Sequence, residues 1–223
     1  MMAKESRKNI RYILASGSPR RSDLLRQARI KFEVMVSDAD ESTDKTVPFE
    51  VVLELSRKKC EAVAREAADA YEPSGDGDDT TVVIAADTVV ACDGAILGKP
   101  GSGQQAVNML MTLSGNTHCV FTGVTFCVIR HSDGAAESNL EYVSFCEETK
   151  VTMCPFSEEE AMAYVETGEP MDKAGSYGIQ GLGALLVERI EGDYNNVVGL
   201  PLSRLCREIK LHTTFPDISE TSL

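Results

Sequence analysis

The chain has 223 residues, of which 43% are apolar and 26% charged, and its 35 Asp/Glu against 22 Lys/Arg give a net charge of −13. That length carries a full core without disulfide staples, and the composition excludes a disordered, collagenous or disulfide-scaffold protein. The acidic total argues against a general DNA or RNA binder, because neutralising backbone phosphates supplies most non-specific affinity.

The charge is uneven: residues 1–35 hold nine Lys/Arg and three Asp/Glu, a net of +6. The seven cysteines (60, 92, 119, 127, 146, 154 and 206) are scattered and form no C-x-x-C pair. They suggest neither a zinc ribbon nor a disulfide framework, and fit reduced thiols in a cytoplasmic protein. The apolar stretch Tyr12 to Ala15 is too short for a signal-peptide core. No run approaches the roughly 18 apolar residues of a membrane helix, so no membrane partner is expected. The final Thr-Ser-Leu matches a peroxisomal address only in its last residue.

In chain order, residues 10–15 read as a buried strand. Ser18 as N-cap and Pro19 at the first helical position then start a helix with Leu24, Leu25 and Ala28 on one face, ending near Arg29. Residues 32–36 read as a second strand and 38–42 as an acidic loop. Pro48 opens a long helix to about Ala70, with Val51, Val52, Leu55, Lys59, Ala62, Val63 and Glu66 at helical spacing. Tyr71 to Thr80, containing Gly75-Asp-Gly-Asp-Asp79, reads as a polar loop insertion. Residues 81–86 form a strongly apolar strand running into Asp87-Thr88. A short strand at 89–92 and a turn at Asp93-Gly94 suggest a hairpin.

Gly98-Lys99-Pro100 is a loop, and a helix runs from Gln104 to Leu113, stopping at Ser114-Gly115. Residues 117–130 and 140–153 read as an antiparallel pair about a turn at Ser132-Asp133-Gly134. Ser157 caps a helix whose first turn is Glu158-Glu159-Glu160, favourable against the helix dipole. Residues 168–183, with Gly168, Gly175, Gly178, Gly181 and Gly183, are a structured loop. A strand at 184–190 and a helix from Pro201 to Lys210 follow, then a polar tail. Mixing β–α units with an antiparallel pair predicts an α/β or α+β domain on a mixed sheet. The expected division is an N-terminal extension at 1–9, one domain over 10–210 and a tail over 211–223.

Five constellations carry candidate chemistry. Ser16-Gly17-Ser18-Pro19-Arg20-Arg21 joins a strand to a helix N-terminus, where free N–H groups and the dipole favour an anion. Two arginines there oppose that dipole unless an anion is present, and their forked donors suit phosphate oxygens. The plainer reading is a capped helix with exposed Arg. Asp87, at the expected end of the most apolar strand, fits a general base, a metal ligand or a turn cap. Asp38, Asp40 and Glu41 are hard oxygen donors suited to Mg²⁺, or simply a solvated loop. Lys59 on an apolar helical stripe needs an anionic partner or a route to water, and Lys99 is aimed by its tight loop. In the Gly-rich loop, Asp172, Lys173, Tyr177 and Gln180 offer polar recognition, the last through its amide. His118, His131 and His212 have no motif around them. Carboxylate, metal and water chemistry therefore fits better than a nucleophile relay.

Ser16-x-Ser18-Pro-Arg-Arg21, Ala86-Asp87-Thr88, Gly98-Lys99-Pro100, Asp172-Lys-Ala-Gly-Ser-Tyr-Gly-Ile-Gln-Gly181 and Val198-Gly-Leu-Pro-Leu202 stand in the order found in the Maf family, and the chain resembles that family from about residue 10 to 210. The resemblance implies an inosine-triphosphate-pyrophosphatase-like α/β fold: a long curved mixed sheet flanked by helices, with two lobes around a cleft. It implies a homodimeric enzyme that hydrolyses nucleoside triphosphates to the monophosphate and pyrophosphate with a divalent metal, Mg²⁺ or Mn²⁺. It makes Asp87 the general base, and Ser16, Ser18, Arg20, Arg21, Lys59 and Lys99 the phosphate-binding groups. Glu41, with Asp87, is implied to hold the metal, and Arg20, Thr88 and Gln180 to govern base choice. One branch of the family, with an aromatic residue at position 20, Gln at 88 and Ser-Glu near 180, prefers 7-methyl-GTP. Arg20, Thr88 and Ile179-Gln180 resemble the branch that prefers dTTP and UTP. A division regulator that binds nucleotide without turnover, and a purine-directed pyrophosphatase acting on ITP, are the alternatives.

Overall fold

The computed structural model describes residues 10–71, 79–131 and 139–213. The expected extension at 1–9, most of the 71–80 loop, the turn at 132–134 and the tail from 214 lie outside them. Among the described residues seven strands form one mixed sheet in the order β2-β1-β3-β5-β6-β7, with β4 on β3. These are β1 (Ile10–Leu14), β2 (Phe32–Val34), β3 (Thr80–Cys92), β4 (Ala95–Leu97), β5 (Thr117–Arg130), β6 (Asn139–Met153) and β7 (Val187–Glu191). β1 runs parallel to β2 and β3, and every other pair is antiparallel. The expected α/β architecture on a mixed sheet is therefore present.

Helix α1 (Pro19–Gln27) and α6 (Leu202–His212) cover one face of the sheet. There Leu14, Ile84 and Phe126 pack against Leu24, Leu25, Leu205 and Ile209. Helix α2 (Pro48–Asp69) covers the other, where Ile13, Val83, Cys127 and Ile129 meet Cys60, Val63, Ala64 and Ala67. The strand period of two assigns neighbouring residues to opposite layers. The far halves of the long strands form a second centre with α3 (Gly103–Leu113) and α4 (Glu158–Glu166), built on Leu110, Leu113, Val120, Val151 and Met153. Ser157 and Glu160 close a capping box at α4, and Ser102 caps α3 through the Gln105 N–H.

Several boundaries differ from expectation. Residues 81–86 and 89–92 belong to one 13-residue strand, β3, so Asp87 sits mid-strand and not at a strand end. Its pairing with β5 runs unbroken from Thr80 to Ala91, which overrides the polar Asp-Thr step. The hairpin to β4 does form, with Asp93 and Gly94 at φ 49 and 78 as a two-residue primed turn requires. The buried stripe of α2 runs through Ser56, Cys60, Ala64 and Ala67, leaving Glu66 exposed and Ala62 half-buried. Residues 184–186 belong to a 3-10 turn, and the strand starts at Val187. A short helix, α5 (Tyr194–Val198), capped by Asp193, lacks the length to show a periodicity in sequence. Helix α6 extends two residues past Lys210, through His212. Ser18 occupies the N-cap position of α1 but makes no side-chain capping bond. All seven cysteines are unpaired.

One mismatch of strand length shapes the rest. β3 pairs with β1 over residues 80–84 and with β4 over 90–92. Between them, among the described residues, no strand lies beside residues 85–89 on that edge, and Asp87 and Thr88 line the notch left there.

Candidate active site

A cleft of about 710 Å³ occupies this notch, walled by the Ser16–Arg21 turn, Asp87 and Thr88, the Lys99 loop and the Gly-rich segment at 172–180. Of the candidate residues, Ser16, Ser18, Arg20, Arg21, Glu41, Lys59, Asp87, Thr88, Lys99 and Gln180 line it, whereas Asp38 and Asp40 do not; the Asp40 carboxylate accepts from the Ser42 N–H and hydroxyl. Positions separated by up to 164 residues in sequence are gathered because β1 stops at Leu14 and hands the chain directly to α1.

On the α2 side, Lys59 Nζ lies 2.7 Å from Asp87 Oδ1 and 3.0 Å from Glu41 Oε2. Lys59 and Asp87 side chains are 11% and 14% exposed, whereas Glu41 is 62% exposed. The apolar stripe thus delivers Lys59 to a carboxylate pair, the anionic partner that its position demanded. Asp87 Oδ2 has no hydrogen-bond partner among the described residues, so one carboxylate oxygen is anchored and the other is available. Among those residues no cluster of three or more His, Cys, Asp or Glu suits a metal. Asp87 and Glu41 do fit the looser mode in which Mg²⁺ takes one or two carboxylates and completes its shell with phosphate oxygens and water. Their convergence on one ammonium marks a position for positive charge.

On the α1 side, Arg21 is pinned from three directions. Its Nε donates to Gly199 O at 2.8 Å, Nη1 to Ser16 Oγ at 3.1 Å and Nη2 to Thr88 Oγ1 at 3.1 Å. Burial lowers its pKa, opposed chiefly by the charge of Asp87, and a guanidinium stays ionised regardless. Arg20 instead reaches across the mouth to Asp172 at 2.9 Å. Burial alone would raise the Asp172 carboxyl, but hydrogen bonds from Lys173 and Arg20 hold it near 2. The first turn of α1 has no side-chain cap, and the Ser18 N–H donates to Ser16 Oγ at 3.2 Å. The uncapped N–H groups and the dipole lie at the cleft wall, an arrangement that favours an anion.

Lys99 is exposed and has no acidic partner among the described residues. Its loop is held by the Gly175 N–H on Gly98 O at 3.1 Å, and Gly175, at φ 70, packs against Val90 where a Cβ would lie 2.9 Å from Cγ2. The Gly-rich segment folds as three 3-10 turns organised by Glu169, whose carboxylate accepts Tyr164 OH and the Leu182 and Gly183 N–H groups. Gln180 is exposed at the rim. Tyr177 forms a buried wall, its hydroxyl 2.8 Å from His118 Nε2, and burial lowers the His118 pKa to about 4.

Sequence reasoning missed Thr122 and Asn196, and singled out Gly199 only as part of the motif at 198–202, without its contact to Arg21. Thr122 Oγ1 lies 2.9 Å from Thr88 Oγ1 and donates to Asn196 O at 3.0 Å. Thr122 is concealed in an apolar strand, and only the β3–β5 register, which sets it opposite Thr88, makes it visible.

The family model described as Maf-like protein matches residues 11–212. A curated relative from Lachnoclostridium phytofermentans, named dTTP/UTP pyrophosphatase, is 46% identical over 198 residues, covering 89% of this chain and 93% of its own. One of the same name from Bacillus cytotoxicus is 46% identical over 201 residues, 90% and 94% of the two chains. Another from Bacillus anthracis is 45% identical over 199 residues, 89% and 93% of the two chains.

Proposed function

Because the chain belongs to the Maf family, we propose that it is a nucleoside triphosphate pyrophosphatase acting on dTTP and UTP. The observation that carries the reading is the Lys59-anchored Asp87 beside an uncapped, arginine-bearing helix N-terminus in one cleft. The domain that performs the reaction is residues 10–210.

The triphosphate, with roughly four negative charges near pH 7, seats on the α1 N-terminus, Ser16, Ser18, Arg20, Arg21 and Lys99, whose donors and charges align it. Arg20 exchanges Asp172 for a phosphate oxygen on binding. Asp87 Oδ2 accepts a proton from a water whose oxygen attacks the α-phosphorus in line. A phosphorus–oxygen bond forms to that water as the bond to the β-phosphate bridge breaks, and the electron pair leaves with pyrophosphate. Lys59 holds Asp87 Oδ1 so that Oδ2 keeps its aim. A divalent ion, Mg²⁺ or Mn²⁺, would be held by Asp87 and Glu41 with phosphate oxygens, and when bound it supplies neutralisation of charge on the phosphates. Arg20, Thr88 and Gln180 govern the base. The enzyme works in the cytoplasm as a homodimer; among the described residues no helix is long and apolar enough to cross a membrane.

The test is pyrophosphate release with Mg²⁺ from dTTP, UTP, 7-methyl-GTP and ITP. Release from dTTP and UTP above the others is expected. Dominance of ITP would overturn the pyrimidine reading, and binding without release from any would favour a regulator.

A further inference from the structure

Proton bookkeeping around Arg21 gives the cleft a direction. A guanidinium only donates, so each oxygen it touches must accept. Ser16 Oγ accepts from Arg21 Nη1 at 3.1 Å and from the Ser18 N–H at 3.2 Å. Both of its lone pairs are engaged, and its proton remains for a ligand acceptor such as a phosphate oxygen. Thr88 is arranged in the opposite sense. Its Oγ1 accepts from Arg21 Nη2 at 3.1 Å and lies 2.9 Å from Thr122 Oγ1. Thr122 Oγ1 in turn lies 3.0 Å from the main-chain oxygen of Asn196, which cannot donate. The single proton of Thr122 therefore goes to Asn196, and the single proton of Thr88 goes to Thr122. Thr88 keeps one lone pair and no donor.

The chain of hydroxyls is rigidly founded. Thr122 and Asn196 are both fully buried, and Thr122 is the direct cross-strand partner of Thr88. Asn196 is fixed by donation of Nδ2 to Val120 O and Thr149 Oγ1, each at 3.0 Å. We propose that Thr122, seated by Asn196, is a specificity-determining residue: it makes Thr88 an acceptor-only hydroxyl, so the part of the nucleoside set against Thr88 is a hydrogen-bond donor. This rests on the nucleotide reading above. Phosphate oxygens match Ser16 and clash with Thr88, which orients the substrate along the cleft. The donor is either the ring imide N–H of thymine or uracil, which cytosine replaces with a bare acceptor, or a sugar hydroxyl.

The experiment compares kcat/KM for dTTP, dCTP and 2′,3′-dideoxythymidine triphosphate in the wild type, Thr122→Val, Thr122→Ser and Thr88→Val. The wild type prefers dTTP over at least one of the other two. Thr122→Val releases the Thr88 proton to the ligand and lowers that preference about tenfold, while Thr122→Ser keeps it. Collapse of the dCTP arm identifies the imide, and collapse of the dideoxy arm the sugar hydroxyl. A ratio between substrates cancels any loss of folded enzyme. Thr88→Val removes the acceptor itself, lowers the same preference, and answers the question should Thr122→Val fail to fold. The proposal is overturned if the wild type shows no preference in either arm, if a folded Thr122→Val retains it, if Thr88→Val retains it, or if Thr122→Ser loses it. No pyrophosphate from any nucleotide with wild-type protein would bring down the pyrophosphatase reading itself, and this inference with it.

Discussion

Gly123 is the position where the fold and the proposed chemistry meet most tightly. It stands in β5 directly opposite Asp87 in β3. A Cβ built there would lie 2.3 Å from the Val52 carbonyl oxygen, 2.4 Å from its carbon and 2.8 Å from the Leu53 nitrogen. These are main-chain atoms near the start of α2, so no rotamer change relieves the overlap. Restoring ordinary contact requires the helix to lift from the sheet by about 1 Å. That lift disturbs the packing of Val51, Val52 and Leu55 against Val89, and overpacking of this kind costs about 1–3 kcal/mol. It also moves Lys59, on the same helix, whose Nζ spans Asp87 at 2.7 Å and Glu41 at 3.0 Å. Displacement of about 1 Å beside reacting groups costs up to about a hundredfold in rate. Gly123→Ala is thus expected to lower stability by about 2 kcal/mol in urea unfolding and kcat for dTTP by at least about tenfold. A variant with the wild-type unfolding midpoint and turnover would show that this contact does not seat α2, and the reasoning would fail.

Asp87→Asn is expected to lose turnover by about a hundredfold or more while still binding nucleotide in equilibrium dialysis; near-normal turnover would remove Asp87 from the role of base. Lys59→Met leaves the Asp87 and Glu41 carboxylates without their shared cation, and should cost about 2 kcal/mol, less than a fully buried pair because Glu41 is exposed. Added Mg²⁺ or Mn²⁺ should recover part of that loss in urea titrations, and a metal-independent midpoint would speak against a cation position there. His118, held neutral by burial with a pKa near 4, makes the unfolded chain the better proton binder below about pH 6.5. Its contribution therefore costs stability progressively as pH falls from about 6.5 to 4, on the order of 3 kcal/mol in full. A His118→Gln variant should show a shallower decline across that window, and parallel curves would refute the assignment.

Much of the chain was legible because its signals are local. Pro19 and Pro48 open α1 and α2, the Ser157–Glu160 box opens α4, and Asp93-Gly94 turns the β3–β4 hairpin. The candidate cleft residues were legible as residue types in short motifs. Their relations were not. Arg21 meets Gly199 across 178 residues and Arg20 meets Asp172 across 152, contacts that no local pattern encodes. Asp87-Thr88 read as a strand terminus because a charge inside an apolar run conflicts with strand propensity, and such conflicts concentrate at functional positions. Ser18 carried a capping signal that its side chain does not fulfil. The uncapped turn forgoes about 1 kcal/mol of helix stability and leaves its donors open to the cleft.

The notch in the sheet lets two adjacent residues serve one ligand in the proposed reaction. In a strand, neighbours point to opposite faces, so Asp87 and Thr88 would ordinarily be separated by the sheet itself. Asp87 indeed turns to α2 and Lys59, and Thr88 to Arg21 on α1 and the chain at Gly199. Were β1 as long as β3, its continuation would fill the edge beside residues 85–89 and the two faces would never meet. Because β1 ends at Leu14 and β4 begins its pairing only at Val90, a ligand in the gap reaches around the strand edge to both. The two sides are also chemically distinct: a carboxylate–ammonium pair on one, and on the other an arginine that leaves Ser16 a donor and Thr88 an acceptor. The shortness of β1, a property of the backbone, turns a one-residue step in sequence into the opposite walls of a cleft.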